Sequence, residues 1–463
     1  MNMSAQAWDP FYPPPPNANR GLLRSRVMEV FRLQERMTGV DAADALVQSL
    51  LFGIGLAGTR LNWKRREPKS PPQVGRCSAV IALPEDDCPW WLRLNLRQVV
   101  SSQNRANDLS RQHFLNQPTP AQKRQARDRT KMLRDWMDPV FLQMMSSPLR
   151  RRPQNVDFLL TIPDRGWIKR DDSFFGQDRL LLVRGAKDYR RLVAHREVPP
   201  FLLEMESGGN AWPRVTFHGW IRDGNLIRTI RDLDTETARR LGWLVPAGTG
   251  KQQPEDGPDH HHFIDALFNE LVMLRIGRKP FCYVPAPEIA GQLDAATTDL
   301  RTLLSTQPGH LHAMGLHDDQ LVWQLAALLA FLVQGHGDEL TQAEQEEIAD
   351  VAGAVAGRVV AGHLNVLRRA LPSKDREDKL AQAIVDRLYK GPSAVRDLVR
   401  KFHKIPTGDI EAGLCRLEQD GLAARSGSRK WCLVRVPLPD LSAFLSKAVV
   451  EPDQQPESGR SGH

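Results

Sequence analysis

The chain has 463 residues and a mass of 52.2 kDa, with 41% hydrophobic residues, 25% charged residues and a formal net charge of +8. At about 150 residues per domain this length suggests roughly three domains, and the composition excludes wholesale disorder. No apolar run reaches the roughly 20 residues that cross a bilayer, so no membrane is expected; the longest runs, 46–58 and 321–333, have the length of buried helices.

Residues 1–19 read as a tail, because the run Pro13–Pro16 favours an extended polyproline conformation. They lack the charged-then-apolar pattern of a secretory leader. Residues 20–72 read as a helical N-terminal region, with apolar spacing from about 22 to 56 and a charged, proline-rich break at KRREPKSPP. Residues 73–285 read as a mixed α/β core. Its β-like runs are AVIAL (79–83), WLRLNL (91–96), VDFLLTI, RLLLV, RVTFHGWI and NLIRTI, with FCYV near the end. Arg222-Asp223-Gly224-Asn225 between two of these runs predicts a hairpin. AQKRQARDRTKMLRDWMDPVF opens a helix after Pro120, and 246–262 reads as a loop by composition. Residues 286–372 are apolar-striped and helical throughout, and Thr341 with Glu344 predicts a capping box. Residues 451–463 are a polar tail.

Five cysteines (Cys77, Cys88, Cys282, Cys415 and Cys432) show no CxxC spacing, which argues against a disulfide framework and a zinc ribbon and points to a reducing cytoplasm. Charge is blocked along the chain. Residues 51–200 hold 28 Lys+Arg against 15 Asp+Glu, 251–350 hold 5 against 16, and 351–450 hold 18 against 10. Basic blocks favour phosphate backbones through counterion release.

Several motifs resemble chemistry without its context. Gly53-Ile54-Gly55-Leu56-Ala57-Gly58 matches GxGxxG, but helix-like sequence precedes it where a dinucleotide site needs a strand; a helix end or close packing is expected. Ala247-Gly248-Thr249-Gly250-Lys251 lacks the first glycine and the hydroxyl of a phosphate-binding loop. His260-His261-His262 lacks the i, i+4 spacing of helical zinc ligands, and His310, His312 and His317 precede an apolar helix. Glu204 and Glu206 share one strand face with no third ligand in view. Of the eleven tryptophans, only Trp167, beside Lys169 and Arg170, stands in a context suited to base stacking. No nucleophile elbow and no HExxH occur. No cofactor, no metal site and no catalytic residue are expected.

Residues 376–436 read as a winged helix-turn-helix. Three helices (379–389, 394–403 and 409–419) carry apolar stripes, with Ser393 as the expected cap of the second, and LAARSGSRKWCLVR supplies strand, tight loop and strand. In a sequence-reading domain the third helix enters the major groove with polar or basic side chains. Here its outward positions are Asp409, Glu411, Arg416, Glu418 and Asp420, a mostly acidic face. The cations lie on the second helix and its exit (Arg396, Arg400, Lys401 and Lys404) and on the wing (Arg425, Arg429 and Lys430). These seven are the candidate nucleic-acid-binding residues, through phosphate contact rather than base reading. A protein-contact role competes with this reading.

In order and texture, AWDPFYPPPP, CYVPAPEIAGQL, QLVWQLAALLAFLV, ELTQAEQEEIADVAGAVAGRVVAGHLNVLRRAL and the closing winged helix resemble a family of uncharacterised proteins of prophages, plasmids and integrated elements, often described as primase- or helicase-associated. The resemblance is best over 281–435. It implies a RecA-like core with a phosphate-binding loop and an acidic strand end. At the equivalent place here, LRLNLRQVVSSQN carries neither glycine nor lysine, and FLLTIPDRG has Asp164 without a second acid. The implied core is therefore degenerate and without ATP hydrolysis. The expected function is that of a nucleic-acid-associated accessory protein of a mobile genetic element, acting in replication or its regulation without its own catalysis. DNA is favoured over RNA, and a replication protein is a further expected partner. The alternatives are a divergent ATPase, helicase-like enzyme or nuclease, and a protein-interaction scaffold using the acidic 251–350 region.

Overall fold

The computed structural model describes residues 42–65, 281–306, 318–334, 339–370, 376–427 and 429–441, together with separate pieces between 73 and 280 that include five strands of one sheet. Among the described residues helix predominates, with short strands between. Expectations placed on WLRLNL, on 120–140 and on both tails lie outside them.

Helix α1 (Ala42–Ala57) is apolar apart from Asp44, Gln48 and Ser49, and such a helix must be enclosed by other elements. Leu46, Leu50, Leu51, Ile54 and Leu56 are all essentially inaccessible. The GxGxxG motif begins inside this helix. A side chain at Gly53 would stand 3.1 Å from Leu328 and 3.2 Å from Leu271, so the glycine serves close helix packing. The carbonyls of Gly55 and Leu56 accept hydrogen bonds from Arg275 Nη1 at 2.7 and 3.0 Å. A guanidinium thus satisfies the helix C-terminus, where the dipole favours a cation.

A three-residue 3-10 turn leads to β1 (Leu61–Trp63), which pairs antiparallel with β2 (Gln73–Val74) and parallel with β8 (Phe281–Tyr283). The second sheet contains β3 (Ala79–Leu83), β4 (Leu159–Thr161), β5 (Arg179–Arg184), β6 (Val215–Arg222) and β7 (Gly242–Leu244). Its order is β4-β5-β6-β3-β7, and every pair is parallel. Its first strand in sequence therefore sits between its fourth and fifth. Parallel neighbours need crossovers rather than tight turns.

That topology overturns the hairpin expected at 222–225. After β6 the chain enters α2 (Asp223–Asp232) directly. Leu226, Ile227 and Ile230 are buried while Arg228 is exposed, which is helical spacing. The β-branched composition of NLIRTI suggests a strand, but burial of one helix face on a parallel sheet outweighs local propensity.

Helices α3 (Pro287–Ser305), α4 (Asp318–Gln334) and α5 (Gln342–Arg369) follow β8. Every residue from Leu321 to Leu332 is buried. Phe331 meets Phe281 edge-on with ring centroids 5.3 Å apart, joining α4 to β8. Helix α5 opens with the expected capping box: Thr341 Oγ1 accepts from the Glu344 amide, and Glu344 Oε2 accepts from the Thr341 amide at 2.8 Å. Its 28 residues reach roughly 42 Å at 1.5 Å each. One apolar core joins α1, the sheets and α3–α5.

The last elements are α6 (Arg376–Tyr389), β9 (Ser393–Ala394), α7 (Val395–Lys401), α8 (Thr407–Gln419), β10 (Ala423–Ser426) and β11 (Lys430–Leu433). They own a second core built on Ile384, Leu388, Leu398, Ile410, Leu414 and Leu417. Residues 434–441 then return to the first core, where Val436 and Leu441 are buried. Val436 exchanges two backbone hydrogen bonds with the Asn365 side chain, at 2.9 and 2.7 Å.

Candidate nucleic-acid interface

Two elements carry the candidate cations. Helix α7 is short, and its start is set by Asp397, whose carboxylate accepts from the Ala394 amide at 3.3 Å. Ser393, expected as the cap, instead donates its hydroxyl to the Gly391 carbonyl, because its backbone belongs to β9. Arg396 and Arg400 are four residues apart and share one helix face. Both are exposed, as are Lys401 at the end of the helix and Lys404 in the turn that follows. Arg396 approaches Asp397 at 3.8 Å, an interaction of little consequence at an exposed site.

Strands β10 and β11 form an antiparallel hairpin, with Arg425 opposite Trp431 and Ser426 opposite Lys430. Gly427 near the tip has φ of +67°, a left-handed conformation that favours glycine. Arg425, Arg429 and Lys430 are exposed around this tip. The Arg425 guanidinium lies 5.1 Å from the Trp431 ring centroid, and that ring is itself buried in the second core. The tryptophan therefore orients a cation and is not available as a stacking platform.

Pairing of β11 with β9 brings the two groups together. Lys430 stands opposite Ala394, the residue immediately before α7. The exposed charged residues of α8 and its C-terminal cap are Asp409, Glu411, Arg416, Glu418 and Asp420, so four carboxylates outnumber one guanidinium there. Two basic elements thus adjoin, and an acidic helix stands beside them.

Other sequence candidates fall as follows. His260–His262, His310, His312, His317, the 247–251 segment, Trp167, Glu204 and Glu206 lie outside the described residues. Trp63, Trp220 and Trp323 are buried. Among the described residues, no group of three metal-ligating side chains forms, and no helix is long and apolar enough to cross a membrane.

A further basic cluster escaped the sequence reading. Arg369 lies 3.8 Å from the Tyr389 ring centroid, and Arg435 lies 5.3 Å from the same centroid. The doublet Arg368-Arg369 is a visible signal, but its partner Arg435 stands 66 residues further along the chain and no spacing rule links them. No protein-family model, curated protein or solved structure matches the chain.

Proposed function

We propose that the chain is a nucleic-acid-associated accessory protein of a mobile genetic element, acting in replication or its regulation without its own catalysis. The observation that carries the nucleic-acid part is the adjacency of exposed cations on α7 and the β10–β11 hairpin, beside an acidic α8. Helix, short strand, two helices and a hairpin that closes on the short strand support a winged-helix reading of 376–436. In that reading the wing and α7 grip phosphates, while α8 is repelled from the groove. Duplex DNA suits it better than RNA, because the contacts are to a regular backbone rather than to splayed bases.

The parallel order of the larger sheet supports a degenerate RecA-like core. Ligands of open α/β sheets bind beyond the carboxyl ends of the strands, at a switch in topology. The first strand ends at Leu83, and the next eight residues, PEDDCPWW, hold three acids with no glycine or lysine. That sequence would repel a triphosphate rather than cradle it. The mobile-element setting and the replication partner rest on the sequence resemblance alone.

The test is binding of fluorescent single- and double-stranded oligonucleotides by the full chain across a salt series, together with phosphate release from ATP and magnesium. Binding that weakens steadily with salt, and no phosphate release with or without DNA, is expected. Indifference to every oligonucleotide in dilute buffer would overturn the nucleic-acid reading, and DNA-stimulated hydrolysis would overturn the non-catalytic one.

A further inference from the structure

Helix α8 runs from the basic exit of α7 to the basic hairpin. Glu411 stands seven residues after Lys404, and Glu418 stands seven residues before Arg425. Asp409 and Asp420 are closer still, five residues from the same two cations. All four acids are exposed. Gly421 has φ of +65°, and the Leu422 amide donates to the Leu417 carbonyl at 2.8 Å, so the chain turns from α8 straight into β10. Five residues span at most about 18 Å. A phosphate held by Lys404 or Arg425 is therefore within electrostatic reach of an α8 carboxylate in dilute buffer, where the screening length is about 30 Å.

Helix stability accounts for only part of this pattern. Asp409 lies in the first turn, where the helix dipole favours a carboxylate. Glu418 lies in the last turn and Asp420 is the C-cap, where the same dipole disfavours one. Base reading does not account for it either. The residues of a reading helix that touch base edges lie near its N-terminus. On α8 the exposed residues there are Thr407, Gly408, Asp409, Glu411 and Ala412. None of them is an Arg, Lys, Asn or Gln, the side chains that pair bidentately with guanine or adenine. A threonine hydroxyl bonds to either base and so selects neither.

We propose, resting on the nucleic-acid reading above, that α8 is an electrostatic brake on this interface. Its carboxylates hold the helix out of the major groove. Duplex binding is then indifferent to base sequence, and weaker than the cations of α7 and the hairpin alone would make it. The substrate class is duplex DNA of any sequence, held by its backbone, with the acids of α8 setting the affinity.

The test measures binding of the full chain to a panel of duplexes of unrelated sequence, at about 10 mM and about 150 mM salt. The variant is Glu411→Ala with Glu418→Ala, which leaves both ends of α8 unchanged and introduces good helix formers. The control is Glu288→Ala with Asp350→Ala, which changes the net charge equally. Asp350 is nineteen residues from Arg369, roughly 28 Å along α5. Glu288 starts α3 beside it, since the Ala286 amide donates to Gln345 Oε1 at 3.0 Å. Wild-type affinities should agree within about threefold across the panel, where a sequence-specific binder discriminates by about 10³ or more. The α8 variant should bind every duplex at least about threefold more tightly at low salt, and the gain should largely vanish at high salt. The control should gain less. One duplex preferred by more than about tenfold, no gain in the α8 variant, or an equal gain in the control would overturn the brake while leaving the nucleic-acid reading standing. Absence of binding to every duplex would overturn both.

Discussion

Asp44 and Arg358 form a buried ion pair in which both Nε and Nη2 of the arginine donate to Asp44 Oδ1, at 3.1 and 2.9 Å. The same arginine donates Nη1 to the Pro439 carbonyl, so one side chain ties α1, α5 and the returning segment. Asp44→Ala leaves the guanidinium buried without its carboxylate and should cost about 3–5 kcal/mol of stability, read by chemical denaturation. Replacing both partners by apolar residues should recover most of that loss. Tyr283 makes the opposite case. The residue is 3% exposed, and among the described residues its hydroxyl has no hydrogen-bond partner. Burial pushes its pKa above the usual phenol range, so the hydroxyl stays protonated. Tyr283→Phe should be neutral or stabilising by up to about 1 kcal/mol; a clear loss in the same denaturation assay would mean that the hydroxyl does have a partner. Residue-scale features of this kind were not legible in the sequence. Asp44 and Arg358 are 314 positions apart. The GxGxxG motif was legible only because its context failed, and Gly53 packing against Leu328 gives the physical reason.

At the scale of elements, local signals were read well and nonlocal ones poorly. Helices α4 and α5 followed from an apolar run and a capping box that both act within a few residues. The apolar stripes of 376–436 did too, since Ile384 and Leu388 on α6 and Ile410, Leu414 and Leu417 on α8 recur at helical spacing and reach one core together with Leu398. The segment after Arg222 misled because β-branched residues suit either a strand or a buried helix face, and only the parallel sheet decides between them. The later start of α7 was also illegible, because pairing of Ala394 with Lys430 draws Ala394 into a strand. The second core supplies the element-scale prediction. Leu414→Ala should cost about 2–5 kcal/mol, since Leu414 is completely buried. Because that core is separate from the one holding α4 and α5, the loss should be local. Hydrogen exchange should show amides of α6 and α8 losing protection while those of α4 keep theirs; equal loss in both would show one cooperative unit.

For the whole molecule, the blocked charge of the sequence becomes a choice of surface. The acidic side chains of α8 and the cations of α7 and the hairpin belong to one small unit, and in the proposed reading a polyanion approaches from the hairpin side. The sequence displayed these cations individually; their adjacency through the β9–β11 pairing was not visible until the strands were placed. The Arg368–Arg369–Arg435 cluster shows the same limit more sharply. The most direct measurement is the salt slope of duplex DNA binding for the wild type and for the triple variant Arg425→Glu, Arg429→Glu, Lys430→Glu. If the wing grips phosphates, the variant should bind more weakly and its log–log salt slope should fall by about 2–3, at roughly 0.9 for each phosphate that is no longer neutralised. An unchanged slope and affinity in a folded variant would contradict the account.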